Sequence, residues 1–261
     1  MGESVREYSF GQKNNWRRRV WNRIAGLAGE RWSSGLADFG SFPCVGDMRV
    51  LFMPGPSCED VPVALAKGFR KKNLVAVDSD EQACRQARKT GILAVRGDLS
   101  SVLHALDEDD AFDVIFADLC TNVSRSLHAF VLSVIISRAR RTPLHLIVNT
   151  LRGRETKPYA EALAHHKSYM PEMKHRGVAV HALILHALQQ IGLLKDQLDF
   201  PRFCARHWLD TYASSTQRMD SIGLLLNLPA SRATSDFDKQ QIAAARRSLA
   251  AARAVYTMQS S

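Results

Sequence analysis

From Met48 onward, short apolar runs alternate with longer amphipathic segments. The apolar runs have the length of buried strands, and the amphipathic segments carry apolar residues at helical spacing. Strands and helices that alternate with short connections predict a parallel sheet covered on both faces. The predicted strands are Arg49–Met53, Asn73–Asp78, Ile92–Arg96, Phe112–Asp118 and Leu144–Thr150, and the predicted helices are Cys58–Gly68, Asp80–Thr90, Ser100–Leu106 and Ser124–Arg141.

The alternation stops after Thr150. A polar and basic segment follows, Leu151–Gly177, which Pro158 and Pro171 interrupt, and the remaining pattern predicts two further helices around an antiparallel hairpin. The helices are Val178–Leu194 and Asp236–Thr257, and the hairpin strands are Trp208–Ser214 and Ser221–Leu228. The chain therefore predicts an α/β fold, a doubly wound seven-stranded and mostly parallel sheet with a C-terminal antiparallel hairpin.

The segment before this domain predicts an amphipathic helix over Asn15–Trp32. Tryptophans and aliphatic residues occupy one face, and arginines occupy the other. We expect the tryptophans to pack on the domain and the arginines to be solvated. Tryptophan among arginines also suits a surface that stacks bases and binds phosphates. By this pattern residues 1–47 form a basic helical extension, residues 48–230 the main domain with an insertion at 151–177, and residues 231–261 a C-terminal helix.

Charge and composition point to a basic globular protein. The formal net charge is +9 and the pI is about 9.6, so the surface attracts polyanions, of which nucleic acid is the commonest in a cytoplasm. Five scattered cysteines without a CxxC pair favour a reducing, cytoplasmic location. No apolar run reaches the roughly 18 residues of a membrane span, so no membrane partner is expected. The pattern indicates no oligomeric state.

Candidate ligand-binding residues fall where the predicted strands end. Open parallel sheets bind ligands at the carboxyl ends of their strands, beside the point where strand order reverses. Gly55 follows the first strand, and Asp78 ends the second, where a carboxylate can hold both hydroxyls of a ribose. Asp98 follows the third strand and can accept a hydrogen bond from an adenine amino group. Asp118 ends the fourth strand and would face whatever lies beside the ligand.

These residues, the succession of seven strands and the terminal segment YASSTQRMDSIGLLL resemble the class I S-adenosylmethionine-dependent methyltransferases, over about Arg49 to Leu228. The chain also looks like small methyltransferase-like proteins of bacteriophage and prophage genomes. The resemblance implies a Rossmann-like sheet and S-adenosylmethionine as cofactor. It assigns the methionine side to Met53, Pro54 and Gly55, the ribose to Asp78 with Ser79, the adenine to Asp98 with Leu99, and the border of the methyl-transfer site to Asp118.

The sequence departs from the family at two places. The first loop, in VLFMPGPSCEDV, has one glycine between two prolines, whereas the family usually has two or three glycines. After the fourth strand the chain reads Asp118-Leu-Cys-Thr, without the Pro-Pro-aromatic turn of amino methyltransferases or the Pro-Cys pair of pyrimidine C5 methyltransferases. We therefore expect Cys120 to pack rather than react, and we assign catalysis to Asp118 and Asn122.

The basic insertion is the candidate nucleic-acid contact. Its cations could form a substrate lid or phosphate clamp, or a solvated surface, and the pattern leaves both open. The candidate contact residues are Lys157, Lys167, Lys174 and Arg176. The histidine pairs His165–His166 and His181–His186 do not converge on one helical face as metal ligands do, so no metal is expected.

Three functions remain open from the sequence. The preferred one is an S-adenosylmethionine-dependent methyltransferase that acts on nucleic acid. The second is a degenerate methyltransferase fold that serves as a structural or regulatory binding protein. The third is a nucleic-acid-binding module that uses the N-terminal helix, the basic insertion and the C-terminal helix. Binding of S-adenosylmethionine by the purified protein would separate the first from the others.

Overall fold

The computed structural model describes residues 10–34, 37–121, 124–137, 139–151, 177–213, 218–228 and 239–260. The helices are α1 (Phe10–Ala25), α2 (Asp60–Ala66), α3 (Glu81–Lys89), α4 (Leu99–Ala105), α5 (Arg125–Ile136), α6 (Gly177–Gln190) and α7 (Lys239–Ser260). The strands are β1 (Arg31–Ser34), β2 (Ala37–Ser41), β3 (Val50–Phe52), β4 (Leu74–Asp78), β5 (Leu93–Arg96), β6 (Phe112–Thr121), β7 (Arg140–Leu151), β8 (Cys204–Ala213) and β9 (Arg218–Leu226).

Seven of the strands form one sheet in the order β5-β4-β3-β6-β7-β9-β8. Neighbours from β5 to β7 are parallel, and β9 runs antiparallel to both β7 and β8. Strand order reverses at β3, whose two neighbours are β4 and β6. This confirms the predicted α/β, Rossmann-like fold with a mostly parallel seven-stranded sheet and a C-terminal antiparallel hairpin.

Helices cover both faces of the sheet, because alternate strand residues point to opposite sides. One core cluster contains Leu51, Val77 and Ile115 with apolar residues of α4, α5, α6 and α7. The other contains Phe52 and Phe116 with apolar residues of α1, α2 and α3. The near-continuous apolar strands in the sequence follow from this two-sided burial.

Helix caps stand directly after the strand ends. Asp80 accepts the backbone N–H of Gln82 at the start of α3, as the sequence predicts, and Asp98 accepts that of Ser101 at the start of α4. Ser124 does the same for Leu127 at the start of α5. Because each helix follows a parallel strand, these caps lie along the carboxyl edge of the sheet.

Two predicted helices were too long. The N-terminal helix ends at Ala25 rather than Trp32, because the chain turns through Gly26 to Gly29, which has φ of 70°, and then enters the β1–β2 hairpin. The helix α5 ends at Ile136 rather than Arg141. Its C-cap Ser137 has extended backbone, donates its hydroxyl to the carbonyl of Leu103 and accepts the N–H of Ala139.

The helix α1 packs on the sheet through its tryptophans, as predicted. Trp16 and Trp21 are buried, Trp16 stacks on Tyr212, and both pack edge-on against Phe116. The expectation that the arginines are all solvated was wrong for Arg17. That side chain is only 4% exposed, because it pairs with carboxylates at the start of α2.

A pair of histidines lies below this helix, between β7 and β8. His145 is fully buried, and its Nε2 lies 3.4 Å from Nδ1 of His207. Burial lowers the pKa of His145 well below its usual value, with His207 adding to the effect. Burial, with Arg23 adding to it, lowers the pKa of His207 to about 4. Both rings are therefore neutral in the folded protein at neutral pH.

These histidines should make the fold acid-sensitive. The unfolded chain takes up protons near pH 6.5, whereas folded His145 does not, so stability should fall as the pH drops from about 6.5 towards 4. Each proton of difference contributes a slope of about 1.4 kcal/mol per pH unit. Urea unfolding across this range should show the slope, and His145→Gln should reduce it. The exposed His186, changed to Gln, should leave it intact; equal slopes in the parent and His145→Gln would contradict the assignment.

Candidate cofactor and acceptor site

The carboxyl edge of the sheet brings the predicted residues together. Phe52 is in register with Ala76 on one side and Phe116 on the other, and Asp78 is in register with Arg96. The N–H of Met53 donates to the carbonyl of Phe116 at 3.3 Å, and the N–H of Gly97 donates to that of Asp78 at 2.9 Å. Four adjacent strand ends therefore form one edge about 15 Å wide.

The loop after β3 is fixed in place but open at its glycine. Pro54 is buried, and half-buried Met53 packs against the core. Gly55 has φ of 62°, and a Cβ at that position would meet no atom of the described residues within 4 Å. Cys58 N–H donates to the Gly55 carbonyl at 3.2 Å and closes the turn. The loop thus presents backbone to open space beside the sheet edge.

Asp78 is held at the end of β4 by its own turn. Its Oδ1 accepts the backbone N–H of Asp80 at 2.9 Å, and Asp80 in turn caps α3. Capping of the helix is therefore done by Asp80, and no hydrogen bond to Asp78 Oδ2 occurs among the described residues. Ser79 is exposed, and its carbonyl accepts a bond from Nε of Arg96 at 3.4 Å.

Asp98 stands at the end of β5 with a structural bond already made. Its Oδ1 accepts the backbone N–H of Ser101 at 2.9 Å and the Ser101 hydroxyl at 3.2 Å. The residue is exposed, so the carboxylate remains accessible from the edge. Leu99 is 4% exposed and belongs to the hydrophobic core, so any contact it makes to a ligand would come from its backbone.

Asp118 lies at the centre of a polar group on the α1 side of the sheet. Its Oδ1 accepts a hydrogen bond from Asn149 Nδ2 at 3.0 Å, and its Oδ2 lies 3.4 Å from Nζ of Lys13. The Asp118 side chain is 15% exposed, whereas Asn149 is fully buried. Asn149 Oδ1 is buried without a hydrogen-bond partner among the described residues. Asn149 thus fixes the rotamer of Asp118.

Sequence reasoning missed Asn149 and Lys13. The available signal was an asparagine in the apolar strand LHLIVNT, because a buried amide needs partners and marks a polar site. Asn122, the second catalytic candidate, lies outside the described residues. The same holds for the side chain of Cys120 and for the candidate contacts in the insertion, which are Lys157, Lys167, Lys174 and Arg176.

A second charged group joins α1 to the loop after β3. Arg17 Nη1 lies 2.6 Å from Glu59 Oε2, and Arg17 Nε lies 3.0 Å from Asp60 Oδ2. Trp21 Nε1 donates to Asp60 Oδ1 at 2.8 Å. Burial raises the pKa of the Asp60 carboxyl, and the Arg17 charge opposes that rise. The helix α1 therefore forms the wall of the site next to α2.

The described part of the chain contains no group of three or more histidine, cysteine, aspartate or glutamate side chains arranged to hold a metal ion. None of the helices described combines the length and apolarity that a membrane span requires. The site that the structure offers is therefore one of carboxylates, backbone and an amide at the sheet edge.

No family model matches the chain, and no curated protein matches it in sequence. Solved structures of similar fold include TrmN from Thermus thermophilus, at 15% identity and a TM-score of 0.45, over 81% of this chain and 48% of TrmN. The chain thus spans about half the length of TrmN. An S-adenosylmethionine-dependent methyltransferase from Mesorhizobium loti matches at 14% identity and a TM-score of 0.43, over 70% of this chain and 93% of that one.

A third similar structure is CrArsM, an arsenic(III) S-adenosylmethionine methyltransferase from Chlamydomonas reinhardtii. It matches at 14% identity and a TM-score of 0.45, over 78% of this chain and 70% of its own. Identities and TM-scores this low assign no function. None of the three structures comes from a bacteriophage, so the likeness to phage and prophage proteins stays a prediction.

Proposed function

We propose that this chain is an S-adenosylmethionine-dependent methyltransferase whose acceptor is nucleic acid. The observation that carries the proposal is the common edge of Gly55, Asp78, Asp98 and Asp118, at the carboxyl ends of β3 to β6 where strand order reverses. Ligands of open parallel sheets bind at this position. The proposal rests on these residues and not on the likeness to solved structures.

The residues of the edge fit the cofactor in character. Gly55 leaves room for the backbone to approach a ligand closely, and Asp78 has a carboxylate oxygen for ribose hydroxyls. Asp98 would accept a hydrogen bond from the adenine amino group. S-adenosylmethionine, when bound, supplies a methyl group on a positively charged sulfonium. The chain's own task is then to orient the acceptor and to exclude water.

Asp118 is the group best placed to orient an acceptor. Asn149 and Lys13 hold its carboxylate in one position, with part of the side chain still exposed. In that position Asp118 would accept a hydrogen bond, or a proton, from the nucleophile. Positioning and general-base catalysis each contribute factors of about 10² or more to enzymatic rates.

The charge of the chain supports nucleic acid as acceptor. The formal net charge is +9, and the α1 surface beside the site carries exposed Arg18 and half-exposed Arg19. Phosphate contacts by such cations supply most of the non-specific affinity for nucleic acid. The candidate contacts of the insertion, Lys157, Lys167, Lys174 and Arg176, would add to this surface.

One contact favours a second function, a methyltransferase fold that binds without catalysis. Lys13 pairs with Asp118, so this carboxylate already carries a cation and an amide before any acceptor is bound. If purified protein binds S-adenosylmethionine but transfers no methyl group to DNA or RNA, this second function is the better description.

Asp78→Ala should weaken binding of S-adenosylmethionine by about 1.5–3 kcal/mol, the usual loss for a hydrogen bond to a charged group. The fold should persist, because Asp78 is half-buried at a strand end and α3 keeps its own cap, Asp80. Calorimetric titration measures the change. Asp47→Ala is the matched control, since Asp47 is an ion-paired, exposed residue at the opposite edge of the sheet. Equal affinity in parent and Asp78→Ala would remove Asp78 from the site.

Affinity for nucleic acid should fall steeply as salt is added, because each phosphate that pairs with a cation of the protein releases counterions. Replacing Lys167, Lys174 and Arg176 together by alanine should flatten that dependence by about one unit of slope for each cation that no longer meets a phosphate. Gel-shift titrations of DNA and RNA at stepped salt concentrations measure both quantities. Absence of binding at the lowest salt would refute nucleic acid as the acceptor.

A further inference from the structure

A cleft of about 500 Å³ lies beside the carboxyl edge, next to Asp98. Its walls come from the end of β5, the first turns of α4 and α5, and one side of α7. The volume lies within the range of sites that hold small molecules. Asp98 belongs both to this cleft and to the edge described above, so the two spaces are continuous at that residue.

The helix α7 is anchored against α4 and β5 and reaches the edge. Ala245, Leu249 and Ala252 are buried in the core, which seats one stripe of the helix. Near its far end Arg253 pairs with Asp110, which precedes β6 and therefore lies at the amino edge of the sheet. Since a residue advances a helix by 1.5 Å, the first turns of α7 lie about 18 Å away, at the carboxyl edge.

The lining of the cleft suits a flat ring with polar edges. Small residues form its broad walls, among them Gly97, Ala129 and Ala244, and they leave space without filling it. The polar groups are neutral hydroxyls and an amide, with the Asp98 carboxylate and Arg96 at the rim. Ser100 lines the cleft although only 8% of the residue is exposed, and no hydrogen bond of its hydroxyl to a described residue occurs.

We propose that the α4–α7 cleft binds the purine base of an adenine nucleoside, with the C-terminal helix as one wall. This inference rests on the proposed function, which supplies the nucleoside, but it adds residues far away in the sequence. The Asp98 carboxylate accepts from the exocyclic amino group, and Gln241 and Ser248 of α7 contact the ring edge. Residues 241, 244, 245 and 248 share one helix face at spacings of three and four.

The test fills the cleft from an exposed position. Ala244→Phe places a ring in the cleft, whereas Ala250→Phe adds the same ring to an exposed position of α7 outside the cleft. Adenosine, inosine and S-adenosylhomocysteine are titrated into the parent and both variants by calorimetry. Thermal melting checks that the variants remain folded, and Gln241→Ala gives a milder second variant.

The expected result is a loss of at least tenfold in affinity for adenosine and S-adenosylhomocysteine in Ala244→Phe, with Ala250→Phe unchanged. Inosine should bind more weakly than adenosine, because it lacks the amino group that Asp98 accepts from. Parent protein that fails to bind adenosine, or Ala244→Phe that binds as the parent does, overturns the cleft.

The outcomes also separate this inference from the proposed function. If S-adenosylhomocysteine binds and depends on Asp78 but not on Ala244, the methyltransferase proposal stands and the cleft assignment is wrong. If adenosine binding is lost in Ala244→Phe while S-adenosylmethionine binds no better than adenosine and no methyl group is transferred, the cleft stands and the methyltransferase proposal fails.

Discussion

Arg17→Met is expected to lower the free energy of unfolding by about 3–5 kcal/mol, the scale for breaking a buried ion pair from one side. Arg17 is 4% exposed and Asp60 is 5% exposed, so the substitution leaves a carboxylate in the core without its cation. Methionine keeps the apolar stem, so the loss reports mainly the charge. Urea unfolding of the parent and the variant measures it.

The pH dependence of this loss gives a second check. Burial already raises the Asp60 pKa, and without Arg17 it should rise further. A raised pKa in the folded state means that the folded protein gains stability as the pH falls through that pKa. The deficit of Arg17→Met should therefore shrink at acidic pH, when Asp60 takes up a proton.

Arg19→Met is the matched control on the same helix. Arg19 is 45% exposed and pairs with Asp210, and exposed pairs contribute about 0–1 kcal/mol. If Arg17→Met and Arg19→Met cost the same, the pairing of α1 with the loop after β3 is not a source of stability, and α1 is held by its tryptophans alone.

Asp118→Ala is expected to lower the rate of methyl transfer to mixed DNA and RNA by a factor of about 10²–10³. The loss follows from the position of the carboxylate, which Asn149 and Lys13 fix beside the edge. Alanine also leaves the buried Asn149 amide without its acceptor, which costs about 1–3 kcal/mol of stability. Asp118→Asn keeps a hydrogen-bonding group of the same size, so a comparable rate loss there would assign the effect to the charge.

Cys120→Ser separates two chemistries in the same assay. A serine hydroxyl is far less ionised than a thiol at neutral pH, so a covalent adduct through Cys120 would be lost completely. We expect only a modest loss, because the chain lacks the Pro-Cys pair. An inactive Cys120→Ser protein beside an active Asp118→Ala protein would reverse the assignment.

The order of strands and helices was predictable because it depends on neighbours in the sequence. Apolar runs such as Leu74–Asp78 end in a polar cap, and Asp80 caps the following helix from two residues away. The positions of Gly55, Asp78, Asp98 and Asp118 on one edge then followed from the rule for parallel sheets. Their roles toward a cofactor stay predictions.

The partners of the site were not predictable, because they come from distant parts of the chain. Asn149 is 31 residues from Asp118, and Glu59 is 42 residues from Arg17. Helical periodicity places Arg17 on the polar face of α1 but cannot tell that carboxylates of α2 pack over that face. The length of α1 was overestimated for a related reason, since Trp32 continues the apolar pattern although the chain has already turned at Gly26.

The central claim is that the carboxyl edge around β3 binds S-adenosylmethionine, and the most direct measurement is an NMR titration of backbone amides with the unreactive product S-adenosylhomocysteine. We predict saturable shifts of the amides of Gly55, Ser79, Gly97 and Leu119, which border the four strand ends. Amides at the opposite edge, such as that of Asp47, should not move. Shifts that are absent at saturating ligand, or that are confined to residues away from these strand ends, would contradict the account.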